Sequence, residues 1–262
     1  MVLSIITINY NNKKGLEETL DSIYKQVEKD FELIIIDGGS TDGSVDVINK
    51  YKERFPCLYY VSEKDKGIYN AMNKGIERVS SDYCIFMNSG DCFYDNYSIE
   101  KSMEFLNGKW DIVSGVAISD RYIMNPPTSE QLSLSFFLKS SLNHQATYIS
   151  TELLRRLRYN ENLRIVSDTE FFFKALIINN SSYLNIPVKV AFCDAAGASG
   201  NLSASLSERY HAIKELLPQR MKYDVDFIIK HHNSFILFTN KIFYNNFWRR
   251  IYNTFIRRGK RT

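Results

Sequence analysis

Residues 31–43 read FELIIIDGGSTDG, an apolar run followed directly by an aspartate and a turn rich in glycine and hydroxyl groups. An apolar run of this length between polar segments predicts a strand buried on both faces, as in a parallel sheet. Open α/β sheets bind their ligands at the carboxyl ends of the strands. The turn at 37–43 is therefore predicted to form a nucleotide site, although a plain connection between a strand and a helix is the alternative.

Strand-like and helix-like patterns alternate along the first hundred residues. They predict strands at 3–8, 31–37, 58–62 and 83–87, and helices at 16–27, 45–55 and 69–79. Right-handed crossovers in such a succession give a mostly parallel sheet and bring the loops after its strands to one edge. The polar segments NYNN, DGGSTDG, SEKDKG and NSGD should therefore converge.

Composition indicates one main domain. A chain of 262 residues with 44% hydrophobic content can bury one large core with a small appendage. The net charge is only +3, and six basic residues fall within the last fourteen positions, which disfavours nucleic-acid binding by the body of the chain. The four cysteines contain no CxxC pair, and this predicts reduced thiols rather than a disulfide framework or a zinc site.

The chain changes character after a predicted fifth strand at 112–118. Pro126 and Pro127 break the pattern, and a more irregular half follows that is expected to cover the sheet edge. We predict a catalytic domain at 1–215, with halves at 1–118 and 119–215, and a helical tail at 216–262.

Apolar and basic pairs alternate through the end of that tail. Residues 235–262 are predicted to lie on an anionic membrane surface as an amphipathic helix, or else to pack on their own domain or a partner subunit. The first ten residues read as a strand rather than a secretory signal, and no run reaches membrane-spanning length.

Five motifs in order carry a resemblance to a known family: SIITINYNN, DGGSTDGS, SEKDKGIYNAMNKGI, FMNSGDCFY and SDTEFFFKAL. Over residues 1–215 the chain resembles family 2 glycosyltransferases of the A-type fold. The resemblance implies a Rossmann-like nucleotide-diphospho-sugar transferase (GT-A) fold with a mostly parallel central sheet and a C-terminal helical segment. It also implies an inverting enzyme that transfers a sugar from a nucleotide-diphosphate donor, which is expected to be a UDP-sugar. The expected acceptor is a glycan or lipid-linked saccharide in surface polysaccharide or lipopolysaccharide biosynthesis. Such an enzyme is expected in the cytoplasm, at the inner face of the cytoplasmic membrane.

The donor would be held by residues from several of these motifs. A carboxylate at Asp37 can accept a hydrogen bond from a ring N–H of uracil or guanine, and Tyr10 can stack on the base. The resemblance places Lys66 and Asn73 near the base, ribose or diphosphate, whereas Glu63 and Asp65 either join them or form an ordinary charged loop. The full predicted set of donor-binding residues is Ile8, Tyr10, Asp37, Gly39, Ser40, Lys66, Asn73, Asn88 and Gly90.

The segment NSGD stands where relatives carry an aspartate-rich metal motif. Oxygen ligands suit Mn²⁺ or Mg²⁺, which can stabilise a departing diphosphate, and Asp91 is the predicted ligand. Many relatives have aspartates where this chain has Asn88 and Gly90, so the alternatives are a metal bound mainly together with the donor diphosphate and a metal-independent or inactive site. His144 is a second candidate ligand, with a structural or acceptor-facing role as its alternative.

The catalytic base is predicted at Asp168, at the start of a helix. Relatives carry an acidic residue at this point that deprotonates the acceptor hydroxyl. Glu170 competes for the role, and a helix cap is the structural alternative for Asp168. A nucleotidyltransferase is disfavoured because the chain has no basic glycine-rich loop after its first strand. A noncatalytic nucleotide-sugar-binding or scaffold protein of the same fold is the other alternative.

Overall fold

The computed structural model describes residues 2–193 and 202–230, and within them nine strands form one mixed sheet. The order across the sheet is β3-β2-β1-β4-β8-β6-β9-β5, and β7 pairs with β6. The strands are β1 (Leu3–Asn9), β2 (Phe31–Asp37), β3 (Leu58–Ser62), β4 (Tyr83–Phe86), β5 (Cys92–Phe93), β6 (Ile112–Ile118), β7 (Ile123–Met124), β8 (Thr147–Ser150) and β9 (Tyr183–Phe192).

The α-helices are α1 (Lys13–Tyr24), α2 (Ser44–Lys52), α3 (Ile68–Arg78), α4 (Ser98–Met103), α5 (Leu134–Phe137), α6 (Thr151–Leu157), α7 (Ser167–Phe173) and α8 (Leu202–Leu216). Short 3₁₀ turns cover Ser129–Gln131 and His144–Ala146, a π-helical turn at Lys174–Ile178 extends α7, and residues 219–230 form a further helix.

The first four long strands form the parallel half of the sheet. β1 pairs in parallel with β2 and β4, and β2 pairs in parallel with β3, as the alternating pattern predicts. All seven residues of β1 are buried, which explains its nearly continuous apolar sequence. Helices α1 and α2 add apolar side chains to the core on these strands, including Leu16, Leu20 and Ile48.

The second half of the sheet mixes directions. β8 runs antiparallel to both β4 and β6, whereas β9 returns parallel to β6. The predicted α/β class is confirmed, and the predicted parallel order holds for β1 to β4. The connection from β6 to β8 contains only the short strand β7 and helical turns of three or four residues, so β8 can enter the sheet antiparallel to both of its neighbours.

One compact unit spans Met1–Ile213, and the described residues from 214 to 230 belong to a second unit. The boundary predicted after residue 215 falls within α8. The predicted membrane contact at 235–262 lies outside the described residues. No helix in the described ranges has both the length and the apolar character needed to cross a membrane.

Helix α3 packs closely on the parallel strands through Gly75. A Cβ atom at this position would lie 2.6 Å from Cγ2 of Ile6, a fully buried residue of β1. We expect Gly75→Ala to lower the free energy of unfolding by about 1–2 kcal/mol, because overpacking outweighs the gain in helix propensity. Urea denaturation measures the change. Glu77→Ala on the exposed side of the same helix is the control and should change stability by less than about 0.5 kcal/mol. An equal or higher stability of Gly75→Ala would show that the contact is loose.

Candidate active site

A cavity of about 610 Å³ lies where the loops after β1, β3 and β4 meet. His144, Gln145, Arg164, Ile165 and Asp168, from the second half of the chain, complete its wall. Three of the four loops that were predicted to converge therefore line the cavity, whereas the DGGSTDG loop after β2 contributes no lining residue. The predicted site residues that line the cavity are Ile8, Tyr10, Asn88, Gly90, Asp91, His144 and Asp168.

Asp37 is fully buried and does not line the cavity. Its Oδ1 accepts hydrogen bonds from Asn9 Nδ2 at 2.7 Å and Ser40 Oγ at 2.6 Å. Its Oδ2 accepts from Ser62 Oγ at 2.6 Å and from the Ser40 backbone at 2.9 Å. These four bonds occupy the carboxylate. The Asp37 side chain therefore faces the protein interior in this structure, which differs from the predicted contact with a base. Ser40 is likewise engaged, and Gly39 has φ of +80° in the turn that Asp37 closes.

The two other predicted donor contacts also lie off the cavity lining. Lys66 is exposed, and its backbone N–H donates to Asn70. Asn73 is buried on the other side of α3, where its Nδ2 donates to the Tyr159 carbonyl and to Glu161, both at 2.9 Å. The Tyr159 N–H donates back to Asn73 Oδ1 at 3.0 Å. Asn73 therefore fastens the 159–161 loop to α3 instead of facing a ligand.

The NSGD turn is held by a threonine that the sequence reading did not single out. The buried Thr19 hydroxyl of α1 donates to the Asp91 carbonyl at 2.7 Å, and the Gly90 N–H donates to the same hydroxyl at 3.0 Å. Gly90 has φ of +106°, in the left-handed region that favours glycine. The turn therefore presents Asp91 and Asn88 to the cavity in a fixed conformation.

His144 bridges the two chemically active regions of the cavity. Its Nδ1 lies 3.2 Å from Asp168 Oδ2, and its Nε2 lies 3.2 Å from Asn88 Nδ2. Burial lowers the pKa of His144, but the hydrogen bond to Asp168 and the charges of Asp168 and Asp91 outweigh it, so the pKa lies above its usual value. The two contacts engage both ring nitrogens, Nδ1 with the Asp168 carboxylate and Nε2 with the Asn88 amide. This arrangement favours a role for the ring in holding Asp168 over a role as a metal ligand.

Asp168 stands on the cavity wall and Glu170 does not. The Asp168 side chain is 18% exposed, and Tyr69 Oη lies 3.5 Å from its Oδ1. Burial, then the charge of Asp168, raise the pKa of Tyr69, so its hydroxyl stays protonated and can donate. Glu170 is 5% exposed and pairs with Lys174 at 2.9 Å while accepting from Asn160. Of the two acidic candidates, Asp168 is the one that an acceptor could reach.

Helix α8 fixes the loop that leads into Asp168. Glu208 accepts hydrogen bonds from the backbone N–H groups of Arg164, Ile165 and Val166 at 2.8, 2.7 and 3.1 Å. Three charge-assisted bonds to consecutive amides hold this segment tightly. The sequence around Glu208 gave no motif that would have identified the contact.

The cavity offers oxygen ligands for a divalent cation, but few of them. Asp91 supplies a carboxylate, and Asn88 lines the same region with its Oδ1 buried and outside any hydrogen bond. No group of three His, Cys, Asp or Glu residues suited to a metal occurs in the described parts of the chain. This donor set fits Mn²⁺ or Mg²⁺ whose remaining ligands come from a bound diphosphate.

The comparisons with known proteins identify the family. The glycosyl transferase family 2 model matches residues 4–178. An uncharacterised glycosyltransferase of Mycobacterium tuberculosis is 31% identical over 186 residues, which cover 67% of this chain and 69% of the relative. A PGL/p-HBAD biosynthesis glycosyltransferase of Mycobacterium bovis is 29% identical, over 65% of this chain and 68% of that protein. The chain belongs to glycosyl transferase family 2, and the predicted family is confirmed.

Solved structures show the same fold. The Staphylococcus aureus protein TarS, residues 1–349, in complex with UDP-GlcNAc aligns with a TM-score of 0.67 and 17% identity, over 89% of this chain and 73% of that chain. The mannosyltransferase PcManGT of Pyrobaculum calidifontis, in complex with GDP-Man and Mn²⁺, aligns with a TM-score of 0.60 and 18% identity, over 81% and 61%. The chain therefore has the GT-A fold of family 2 transferases.

The burial of Asp37 predicts a pH-dependent stability. Burial raises its pKa, but the hydrogen bonds from Ser40, Ser62 and Asn9 outweigh this, so the pKa lies below the usual value. A depressed folded-state pKa stabilises the protein above the unfolded value of about 4, and the effect is lost as pH falls through the folded value. Asp37→Asn should therefore lower the free energy of unfolding by about 1–3 kcal/mol at pH 7 and by less near pH 3.5. Urea titrations at both pH values measure this.

The exposed Asp30→Asn is the matched control for this substitution and should change stability little at either pH. A loss for Asp37→Asn that is equal at both pH values would contradict the assignment of the stabilisation to the ionised carboxylate.

Proposed function

We propose that this protein is an inverting glycosyltransferase that transfers a sugar from a nucleotide-diphosphate donor, a UDP-sugar, to the hydroxyl of a glycan or lipid-linked acceptor. The observation that carries the proposal is the shared cavity, which joins a reachable acid at Asp168 to the Asp91 turn and to an exposed aromatic ring at Tyr10. Membership of the family supports glycosyl transfer, and the bound UDP-GlcNAc of the structurally similar TarS supports the donor class.

The chemistry assigned to Asp168 is general-base catalysis. Its carboxylate takes the proton of the acceptor hydroxyl as that oxygen bonds to the anomeric carbon and the bond from this carbon to the diphosphate oxygen breaks. Attack opposite the leaving group inverts the anomeric configuration. His144 at Oδ2 and Tyr69 near Oδ1 orient the carboxylate from two sides, which holds it within reach of the acceptor.

Charge around the cavity supports a metal requirement. Its lining carries three carboxylates, Asp65, Asp91 and Asp168, against one guanidinium, Arg164, and the imidazole of His144. A diphosphate would meet repulsion in such a site unless a cation offsets it. Asp91 and Asn88 would hold Mn²⁺ or Mg²⁺ together with the diphosphate. When bound, the ion supplies stabilisation of the negative charge that develops on the leaving group.

The acceptor class is proposed from the relatives. The Mycobacterium bovis relative is described as a PGL/p-HBAD biosynthesis glycosyltransferase, which supports an acceptor in surface-glycan biosynthesis. The basic aromatic stretch at 235–262 supports a peripheral position at the cytoplasmic face of the membrane, where lipid-linked acceptors are presented.

Asp168→Asn tests the proposed catalytic role. The amide keeps the shape of the carboxylate but cannot take a proton, so we expect transfer or donor hydrolysis to fall by about 10²–10⁴-fold while UDP affinity changes little. The assay is UDP release from a panel of UDP-, GDP- and dTDP-sugars with Mn²⁺, and calorimetry gives the affinity for UDP. The isosteric Glu170→Gln, which breaks the buried pair with Lys174, is the control. It should lower the free energy of unfolding but leave the turnover of the folded protein close to that of the wild type.

Two outcomes of this assay distinguish the alternatives. UDP binding without turnover of any donor sugar by the wild-type protein would support a noncatalytic sugar-nucleotide-binding protein. Turnover that survives in Asp168→Asn and is lost in Glu170→Gln, with both variants folded, would move the base to Glu170.

Asp91→Ala tests the proposed metal site. Without this carboxylate we expect UDP affinity in Mn²⁺ to fall by about tenfold or more, and the residual binding to become insensitive to EDTA. The melting temperature should shift by less than about 2 °C, because the turn is held through Thr19 and backbone groups. Asp120→Ala, an exposed position outside the cavity lining, is the control. A large loss of melting temperature with unchanged Mn²⁺ dependence would make Asp91 structural.

A further inference from the structure

The space beside Gly38 is filled by a carboxylate from another loop. A Cβ atom on residue 38 would lie 2.5 Å from Oδ2 of Asp65 and 3.1 Å from Cδ2 of Tyr10. A separation of 2.5 Å is too short for any side chain, so glycine at 38 is what allows Asp65 to lie against the end of β2. Gly39 and Gly43 have positive φ, but Gly38 does not. Gly38 is therefore required for the space beside it rather than for its backbone conformation.

Asp65 is held in this position by its own turn. Its Oδ1 accepts a hydrogen bond from the Gly67 N–H at 2.9 Å, so Oδ2 is the oxygen that faces Gly38 and Tyr10. The Glu63 N–H donates to the Asp37 carbonyl at 2.9 Å, and the Glu63 carboxylate pairs with Lys74 at 2.6 Å. These contacts tie the 63–67 loop to β2 and α3, so the carboxylate is preorganised.

Tyr10 supplies an aromatic surface next to this carboxylate. Its side chain is 66% exposed and, like Asp65, lines the cavity. Stacking of a nucleobase on an aromatic ring contributes about 1–3 kcal/mol and does not depend on which base is bound. A neighbouring hydrogen-bonding group must therefore select the base, and Asp65 is the acidic group that borders Tyr10.

An ionised carboxylate only accepts hydrogen bonds. Uracil presents an N–H at its ring N3, whereas cytosine presents a lone pair at the same atom. Guanine presents ring and amino N–H donors on the corresponding edge. At the ring nitrogen the carboxylate therefore favours uracil or guanine over cytosine, whose only donor on this edge is the exocyclic amino group.

We propose that Asp65, admitted by Gly38, is the residue that selects the nucleobase of the donor, in the role that the sequence suggested for Asp37. The assignment rests on the proposed function, since it requires a nucleotide-sugar donor. The assignment predicts that the donor carries uracil or another base with a ring N–H. It also predicts that a side chain at position 38 would disturb base selection by displacing Asp65.

Calorimetric titration of the full chain with UDP, CDP and GDP in Mn²⁺ tests the pair. We expect the wild-type protein to bind UDP at least about tenfold more tightly than CDP, the effect of one charge-assisted hydrogen bond. In Asp65→Asn the amide can present its oxygen to uracil or its NH₂ group to cytosine, so the UDP:CDP ratio should fall towards one. Gly38→Ala should lower the ratio as well, because its Cβ displaces the carboxylate. Asp30→Asn, on an exposed loop, should keep the wild-type ratio.

The outcomes separate this assignment from the proposed function. A wild-type preference for GDP over CDP that is lost in Asp65→Asn supports the same assignment with guanine as the base. A wild-type protein without preference for UDP or GDP over CDP overturns it, and so does an Asp65→Asn variant that keeps the wild-type ratio, although donor binding then stands. If Asp65→Asn does not fold, Gly38→Ala decides in its place, and an unchanged ratio overturns the assignment. Failure of the wild-type protein to bind all three nucleotides would overturn the proposed function itself.

Discussion

The candidate site depends on one buried carboxylate. Asp37 ends β2 between Asn9, the last residue of β1, and Ser62, the last residue of β3, and it accepts hydrogen bonds from both. These bonds join the ends of three parallel strands at one level of the sheet. The loops that follow the strands must then start from fixed points, and this brings Tyr10 and Asp65 together. An acid in this place is costly to bury unless its oxygens are saturated, as they are here.

Much of the parallel half could be predicted from local sequence. The strands at 31–37 and 58–62 have the predicted bounds, because each is an apolar or aromatic run ended by a polar residue. The convergence of the polar loops followed from the crossover rule alone. The antiparallel pairing of β8 could not be predicted, because strand direction beyond β4 depends on how an irregular connection returns to the sheet.

Individual side-chain roles were predicted less well than positions along the chain. Asp37 and Asn73 lie in segments that border the site, but packing turns both side chains towards the protein. Sequence spacing does not show whether a polar residue faces a ligand or satisfies a neighbouring loop. The one feature of the sequence that could have pointed to Asp65 is Gly38. A glycine directly after the end of a strand leaves room for a side chain from another loop. Thr19 and Glu208 act through backbone groups, which leave no motif.

The segment 65–69 connects the two ends of the cavity. Asp65 lies against Gly38 and Tyr10, and four residues later the Tyr69 hydroxyl approaches Asp168. Between them Gly67, with φ of +128°, turns the chain into α3, whose first residues are fixed by the packing of that helix on β1 and β2. The segment therefore contributes to both ends of the site: it carries the carboxylate proposed to select the base and a tyrosine hydroxyl that contacts the proposed catalytic carboxylate.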